Sequence, residues 1–315
     1  MEYDKRISEM TVGDRIQGFY ILKNASAKTT MGGKPYLNAA LSDISGEIEA
    51  KVWDYCGPIG SSDEGAIVKV EGTVSEFRGS LQFTVDKIRL KDNNDRVNLD
   101  ALVPVAPIDI DGCFARIEDC IDSMSDPDYA AVCSEMMKRH GDELRRIPAA
   151  KSVHHAFLSG LLMHTSDMLA MADFLARQYS AIIDRNLLLA GTLLHDFAKS
   201  KEFVFSDLGL VTDYSVAGEL LGHLVMGAQE VASIAKDLNI PEEKSMLLQH
   251  MILSHHGEPE FGAAVKPMCA ESELLSYIDL VDSRMEIYRE NLEKTPVGTF
   301  STRIFALDRR IYHHS

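Results

Sequence analysis

The chain of 315 residues is long enough for two domains, each able to bury a core of its own. Its hydrophobic fraction of 45% and charged fraction of 25% are ordinary for globular proteins and exclude wholesale disorder. A formal net charge of −16 argues against a protein that coats nucleic acid by bulk electrostatics, because phosphate neutralisation needs lysine and arginine. The acidity is uneven, since residues 1–92 hold 12 Lys and Arg against 14 Asp and Glu.

The first ten residues are charged and lack the apolar stretch of a signal peptide. No later segment approaches the ~18 uninterrupted apolar residues of a membrane span. We therefore expect a soluble, cytoplasmic protein with no membrane partner. Five cysteines without a CxxC pair disfavour a disulfide framework and a thiolate metal site. Buried free thiols are expected, and any metal must be held by nitrogen and oxygen.

Residues 12–90 show the alternation of half-buried strands. Apolar and polar residues alternate in 47–52, 68–74 and 81–85. Ser45-Gly46 and Arg78-Gly79 lie between such runs, where hairpin turns need a residue that tolerates positive φ. Four or five short strands within about eighty residues favour a small closed barrel, and the OB-fold is the commonest such barrel in proteins that touch nucleic acids. We predict an OB-like nucleic-acid-binding barrel over residues 1–92.

The pattern changes after Lys91. A polar run and the proline-rich segment 103–107 predict a linker and leading helices over residues 93–150. Helical spacing of apolar residues recurs in 117–124, 154–179, 184–198, 216–238, 242–254 and 271–290. The predicted fold class is multidomain α+β, with an N-terminal OB-like β-barrel followed by an all-α helical bundle over residues 151–315.

Ionisable residues occur in three otherwise apolar helical segments. His195-Asp196 ends the run 186–194, His164 lies within 160–165 and Asp279 within 275–280. Burying such groups is costly unless they are paired or bind a metal. The alternative for a lone His-Asp dipeptide is a solvated acid at a helix end. Together, two imidazoles and two carboxylates suit Mn, Fe, Co, Zn or, less well, Mg.

Further histidines point to a second site. His223 and the pair His255-His256 would furnish it, with Asp196 as the shared ligand. Two metals roughly 3.5 to 4 Å apart can activate a bridging hydroxide and clamp the leaving oxygen of a phosphoester. This pattern favours phosphodiester hydrolysis.

The order H, HDxxK, H, HHG, D resembles the HD superfamily of phosphohydrolases. With the β-barrel in front, the segments Pro148–Phe157, Gly160–Thr165, Leu194–Lys199 and Leu253–Gly257 resemble the YhaM-type 3′-5′ exoribonucleases over nearly the whole chain. The resemblance implies an HD domain over residues 151–315. It also implies hydrolysis of single-stranded RNA from the 3′ end to nucleoside monophosphates by a metal-bridged hydroxide, and it leaves single-stranded DNA open as a substrate.

The resemblance also implies residue roles and two divalent ions, with manganese favoured over cobalt, iron, zinc or magnesium. One ion would be held by His164, His195, Asp196 and Asp279, and the other by Asp196, His223 and His255. Asp196 and Lys199 would be catalytic, with Lys199 facing the scissile phosphate, although a solvated lysine at a helix end is the alternative. The choice between His255 and His256 as ligand stays open. Positions expected to orient ligands or touch substrate are His154, His155, His256 and Asp282.

Barrel residues supply cations and aromatic rings, which bind single strands by following the backbone and stacking on bases. The alternative is that the aromatic rings are core and the lysines only solvate the surface. Single-stranded nucleic acid, with RNA favoured, is therefore the expected partner. The candidate contacts are Lys28, Lys34, Tyr36, Trp53, Phe77 and Arg78.

Two other functions stay open at this point. The HD domain could hydrolyse nucleotides or cyclic dinucleotides, with the barrel serving in assembly. Alternatively, the chain is a non-catalytic nucleic-acid-binding factor, which the complete ligand set disfavours because buried acids and histidines are costly to keep without a metal. A homo-oligomer formed through the helical domain is compatible with the sequence, which does not decide the oligomeric state.

Overall fold

The computed structural model describes residues 2–30, 32–103, 105–149, 157–206 and 208–315. The chain divides into two compact units, one over residues 1–105 with 206–208 and the other over residues 106–205 and 209–315. Each unit encloses an apolar cluster of its own. The predicted fold class, an OB-like barrel with a helical domain, is confirmed, whereas the domain boundaries at residues 92 and 150 stay predictions.

The first unit is a sheet of six strands in the spatial order β1-β2-β3-β4-β6-β5. Its strands are β1 (Glu2–Tyr3), β2 (Arg15–Thr29), β3 (Pro35–Asp43), β4 (Gly46–Trp53), β5 (Ile67–Phe77) and β6 (Ser80–Leu90). The long strand β2 pairs with β5 through residues 15–21 and with β3 through residues 21–29. Because β2 serves both neighbours, the sheet closes into a barrel.

Strand β4 shows how the sequence pattern builds the barrel. Ile48, Ala50 and Val52 are buried in the barrel core, and the residues between them face outward. The β5–β6 hairpin turns at Arg78 and Gly79, whose φ angles are 52° and 83°. Two successive positive φ angles match the twist of a tight hairpin, as the Arg-Gly sequence predicts.

The described part of the second unit is mainly helical and contains one β-hairpin, and its last twenty residues are irregular with two isolated β-bridges. Its helices are α1 (Ile110–Asp122), α2 (Pro127–Leu144), α3 (Gly160–Gln178), α4 (Arg185–Leu194), α5 (Lys199–Glu202), α6 (Val216–Asp237), α7 (Glu242–Ser254) and α8 (Ala270–Glu293). Strands β7 (Phe203–Phe205) and β8 (Val211–Tyr214) form the hairpin, which the sequence analysis did not predict. These strands have three and four residues, too few to show a clear alternation.

Helix α4 lies at the centre of the helical unit. Asp184 caps its start by accepting hydrogen bonds from the backbone N–H groups of Asn186 and Leu187. Every residue from Leu187 to Leu194 is buried, as expected for a helix that is apolar on all sides. Because α4 is buried along this length, the residues that directly follow Leu194 also lie in the interior of the helical unit.

All five cysteines are free, but only Cys113 and Cys133 are fully buried, and Cys56 is exposed. The expectation of buried thiols therefore holds for part of the set. In the part of the chain that the structure describes, no helix combines the length and apolarity needed to cross a membrane.

Candidate metal centre

His195 and Asp196 follow the last residue of α4 and are buried, with 0% and 3% of their surface exposed. The Nδ1 atom of His195 lies 2.8 Å from the carbonyl oxygen of Thr192. A carbonyl can only accept a hydrogen bond, so Nδ1 carries a proton and Nε2 is the nitrogen that faces Asp196. The end of the helix thus fixes the orientation of the His195 ring.

His255 follows α7 in the same way. Its Nδ1 atom donates to the carbonyl oxygen of Ile252 at 2.7 Å, and its Nε2 atom lies 3.7 Å from Asp196 Oδ1. Burial, together with the neighbouring imidazoles of His195 and His256, holds the pKa of His255 well below its ordinary value. His255 is therefore neutral, which is the form that binds a metal.

His164, in the second turn of α3, contacts two carboxylates of α8. Its Nδ1 atom donates to Asp282 Oδ2 at 2.6 Å, and its Nε2 atom lies 3.5 Å from Asp279 Oδ1. The same Nε2 atom is 3.3 Å from His195 Nε2. Since Asp279 and Asp282 are three residues apart on one helical face, Asp282 fixes the ring of His164 while Asp279 lies near its second nitrogen.

His223 is fixed by a residue that the sequence analysis missed. The Nδ1 atom of His223 lies 2.9 Å from Oε1 of the buried Glu202, at the end of α5. Its Nε2 atom then lies 3.4 Å from Asp196 Oδ1. The sequence feature that could have identified Glu202 is its spacing, since Asp196, Lys199 and Glu202 follow one another at intervals of three residues.

Asp196 divides its two oxygens between two groups of side chains. Oδ2 lies 3.2 Å from His195 Nε2 and 2.6 Å from Lys199 Nζ, while Oδ1 faces His223 and His255. Burial opposes a charge on Asp196, but His195 and Lys199 outweigh burial and hold its pKa well below the ordinary value. The carboxylate is therefore ionised and able to bridge.

Three buried polar atoms in this cluster have no hydrogen-bond partner within the described ranges. They are Asp196 Oδ1, His223 Nε2 and His256 Nδ1. Buried polar atoms are rarely left unsatisfied, so such a group calls for an explanation. Ligand atoms of His164, His195 and Asp196 lie within 4.8 Å of one another, as do those of His223, His255 and His256. Nitrogen and oxygen donors in this arrangement fit divalent metals.

The structure brings most of the predicted site residues together. Four predicted histidine ligands surround Asp196, and the sixth predicted ligand, Asp279, lies next to His164. Asp282 lies behind His164, and His256 lies beside His223 and His255. Lys199 is mostly buried, with 13% of its side chain exposed, and it forms an ion pair with Asp196. The solvated alternative for Lys199 is therefore wrong. His154 and His155 lie outside the described residues, and the functional role of every site residue stays a prediction.

Candidate contacts on the barrel also cluster. The rings of Tyr36 and Trp53 lie 5.2 Å apart, and Arg78 lies 5.2 Å from the ring of Phe77. Trp53 is 48% exposed and Phe77 is 52% exposed, so neither ring is core. Lys51 was not among the six candidates, yet its Nζ atom lies within 6 Å of both exposed rings. The sequence feature that could have identified Lys51 is its position on β4 two residues before Trp53, because residues two apart on a strand face the same side.

The remaining two candidates lie at the edge of this surface. Lys34 forms an exposed ion pair with Asp54 at 3.6 Å. Lys28 is exposed and lies opposite Tyr36 in the β2–β3 register.

Comparison with known proteins defines the class of the molecule. Residues 161–284 match the HD domain family, and residues 21–90 match the family described as OB-fold nucleic acid binding domain. The chain is thus an HD-domain protein with an OB-fold. It is 37% identical over 313 residues to the 3′-5′ exoribonuclease YhaM of Oceanobacillus iheyensis, covering 98% of this chain and 96% of the relative.

A second relative agrees. The 3′-5′ exoribonuclease YhaM of Bacillus licheniformis is 36% identical over 307 residues, covering 96% of this chain and 95% of the relative. The chain belongs to the YhaM family of 3′-5′ exoribonucleases, and the predicted resemblance is confirmed. Among solved structures, the second OB-fold domain of replication protein A from Methanococcus maripaludis matches 30% of this chain and 100% of that chain, at 19% identity and a TM-score of 0.23.

Proposed function

We propose that the protein hydrolyses single-stranded RNA from its 3′ end and releases nucleoside monophosphates. The observation that carries the proposal is the convergence of four buried histidines on Asp196. Divalent ions bound at such a centre polarise a phosphodiester and lower the pKa of water. The chain's place in the YhaM family supports the same activity and direction.

The ligands divide into two sets in this proposal. The first set is His164, His195, Asp196 and Asp279, and the second is Asp196, His223 and His255 with His256. His256 is included because its buried Nδ1 atom has no partner within the described ranges and lies near the ligand atoms of His223 and His255. We favour manganese, since carboxylate and imidazole ligands accept it and it suits two-metal phosphoester chemistry.

Lys199 is proposed to hold the phosphodiester. Its ammonium lies 2.6 Å from Asp196 Oδ2, and the ion pair with Asp196 overcomes burial and raises the pKa of Lys199. The side chain therefore keeps its positive charge in a site where water is scarce. A fixed cation stabilises the negative charge that develops on the phosphate in the transition state.

The barrel surface around Trp53 is proposed to bind the RNA strand. Exposed rings offer faces for stacking, and Lys51 and Arg78 add positive charge beside them. Each stacked base typically contributes ~1–3 kcal/mol without sequence preference. Such binding suits an enzyme that must move along any strand.

Digestion of end-labelled RNA tests the proposal. The protein with Mn²⁺ should shorten a 5′-labelled single strand stepwise and release the label of a 3′-labelled strand as a mononucleotide. Asp196→Ala should abolish both, whereas Asp122→Ala, which changes an exposed aspartate on α1, should not. Intact 3′-labelled RNA, or equal cleavage by Asp196→Ala, would contradict the proposal.

A further inference from the structure

Glu202 and His223 are joined by two hydrogen bonds to one oxygen. Glu202 Oε1 accepts from the backbone N–H of His223 at 3.0 Å and lies 2.9 Å from His223 Nδ1. Both residues are buried, with less than a tenth of their surface exposed. One carboxylate oxygen therefore fixes both the backbone and the ring of His223.

A break in helix α6 makes this contact available. Gly222 has φ 70° and ψ 162°, so the helical path is interrupted one residue before His223. A β-carbon built on Gly222 would lie 3.8 Å from Glu202 Oε1, so glycine is needed for its positive φ and not for space. The interruption takes the N–H of His223 out of the helical ladder, where Glu202 accepts it.

The short helix α5 is tied to α6 at further points. The backbone N–H of Ser215 donates to the carbonyl of Glu202 at 2.8 Å, and its hydroxyl donates to the carbonyl of Lys201 at 2.6 Å. Gly218 approaches so closely that a β-carbon there would lie 2.2 Å from the carbonyl oxygen of Glu202. Glu202 is therefore held in place from its backbone outward.

We propose that Glu202 is the positioning residue of the second ligand set. It fixes the tautomer with a proton on His223 Nδ1, because an ionised carboxylate can only accept, and so aims the Nε2 lone pair toward Asp196 Oδ1. The inference rests on the proposed two-metal site. Loss of Glu202 should weaken binding at the second set and spare the first, whose imidazoles are fixed by Thr192 and Asp282.

Titration of the full metal-free chain with Mn²⁺ tests the inference, with free Mn²⁺ followed by electron paramagnetic resonance. The wild type should bind two ions per chain. Glu202→Ala should weaken one of them by about 10–100-fold and leave the other unchanged. Glu202→Gln, which keeps an accepting oxygen, should weaken the same ion less.

Glu230→Gln is the matched control, because Glu230 lies on α6 and likewise accepts from a histidine. Its carboxylate contacts His140 Nε2 at 2.6 Å and Lys201 Nζ at 2.7 Å, away from His223. Glu230→Gln should bind both ions as the wild type does. Equal weakening in Glu230→Gln and Glu202→Ala would show general loosening of α6 and overturn the inference.

The remaining outcomes are distinguishable. A wild type that binds two ions and a Glu202→Ala variant that binds them with unchanged affinities overturn the inference alone. A wild type that binds no Mn²⁺ overturns the proposed site and the inference with it. If circular dichroism shows that Glu202→Ala does not fold, Glu202→Met decides, because methionine is close to glutamate in volume and lacks the accepting oxygen; unchanged affinities in that variant also contradict a positioning role.

Discussion

Each of the four histidines presents Nε2 to Asp196 because a different acceptor holds its Nδ1. Two acceptors are carbonyl oxygens three residues back in the same helix, and these follow from a histidine placed at a helix end. The other two are Glu202 and Asp282, which lie 21 and 118 residues from their histidines. Periodicity placed the ligands in apolar helices, and the family resemblance indicated Asp282. Glu202 was missed because its contact with His223 depends on tertiary packing.

Lys199 provides a test at a single residue. Lys199→Met should lower the single-turnover rate constant by about 100-fold or more, since a preorganised charge in a water-poor site is worth several kcal/mol to the transition state. Lys201→Met is the control, because Lys201 is half-exposed and pairs with Glu230. Both variants are compared by single-turnover cleavage of RNA. Equal losses in the two variants would contradict a role for Lys199 at the phosphate.

Among the secondary-structure elements, those with a regular alternation or helical spacing of apolar residues were predicted well. Strands β4, β5 and β6 and the helices α3, α4, α6, α7 and α8 fall close to the predicted segments, whereas β2, β3 and the 18-residue α2 had no predicted segment of their own. The hairpin of β7 and β8 and the break at Gly222 were not foreseen, because each depends on a few residues whose neighbours come from elsewhere in the chain.

Strand β5 contains a glycine whose replacement should destabilise the barrel. A β-carbon on Gly72 would lie 2.2 Å from the carbonyl oxygen of Thr84, next to a register shift between β5 and β6. Gly72→Ala should therefore cost ~1–3 kcal/mol of unfolding free energy. The chain's one tryptophan, Trp53, lies on β4 and reports urea unfolding of the barrel by fluorescence. Gly60→Ala, at an open position, should change little.

The outward face of β4 should bind RNA through its exposed ring. Trp53→Ala should weaken binding of a 20-nucleotide single strand by ~1–3 kcal/mol, or about five- to 150-fold, because one stacking platform is lost. Phe174→Ala is the control, since Phe174 is 65% exposed on α3 of the helical unit. Fluorescence anisotropy of labelled RNA in metal-free buffer measures both. A Trp53→Ala variant that binds like wild type would remove the barrel surface from the proposal.

At the scale of the whole molecule, the sequence correctly placed a barrel before a helical domain because the two periodicities occupy different stretches of the chain. Location in the cytoplasm, oligomeric state and the identity of the metal stay predictions. Imidazole and carboxylate accept several ions, so composition alone does not select one. The hydrogen bond between His140 and Glu230, by contrast, could not be predicted from the sequence, because it joins α2 to α6 and forms only when these helices pack together.

The His140 network should make stability depend on pH. The hydrogen bond from His140 to Glu230 outweighs burial and raises the pKa of His140. Burial opposes a charge on Glu230, but hydrogen bonds from His140 and Lys201 in turn lower the pKa of Glu230 to about 2. Because the pKa of His140 is higher in the folded than in the unfolded protein, its protonation stabilises the folded state. This stabilisation is complete below the pKa of the unfolded state, ~6.5, and is lost as the pH rises through the higher pKa of the folded state. His140→Gln should therefore cost roughly 1 kcal/mol more at pH 6 than at pH 9. Urea unfolding followed by circular dichroism measures the difference, and an equal cost at both pH values would contradict it.

The contact between His164 and Asp282 spans 118 residues, and this separation has a consequence for biosynthesis. The barrel encloses its own core and leaves the ribosome first, so it can fold while the helical unit is still being made. The metal centre cannot close until α8 has emerged. A nascent chain stalled before Ala270 would therefore carry a folded OB-fold nucleic-acid-binding domain and an incomplete metal centre, so the domain expected to bind the strand is finished before the site expected to cleave it.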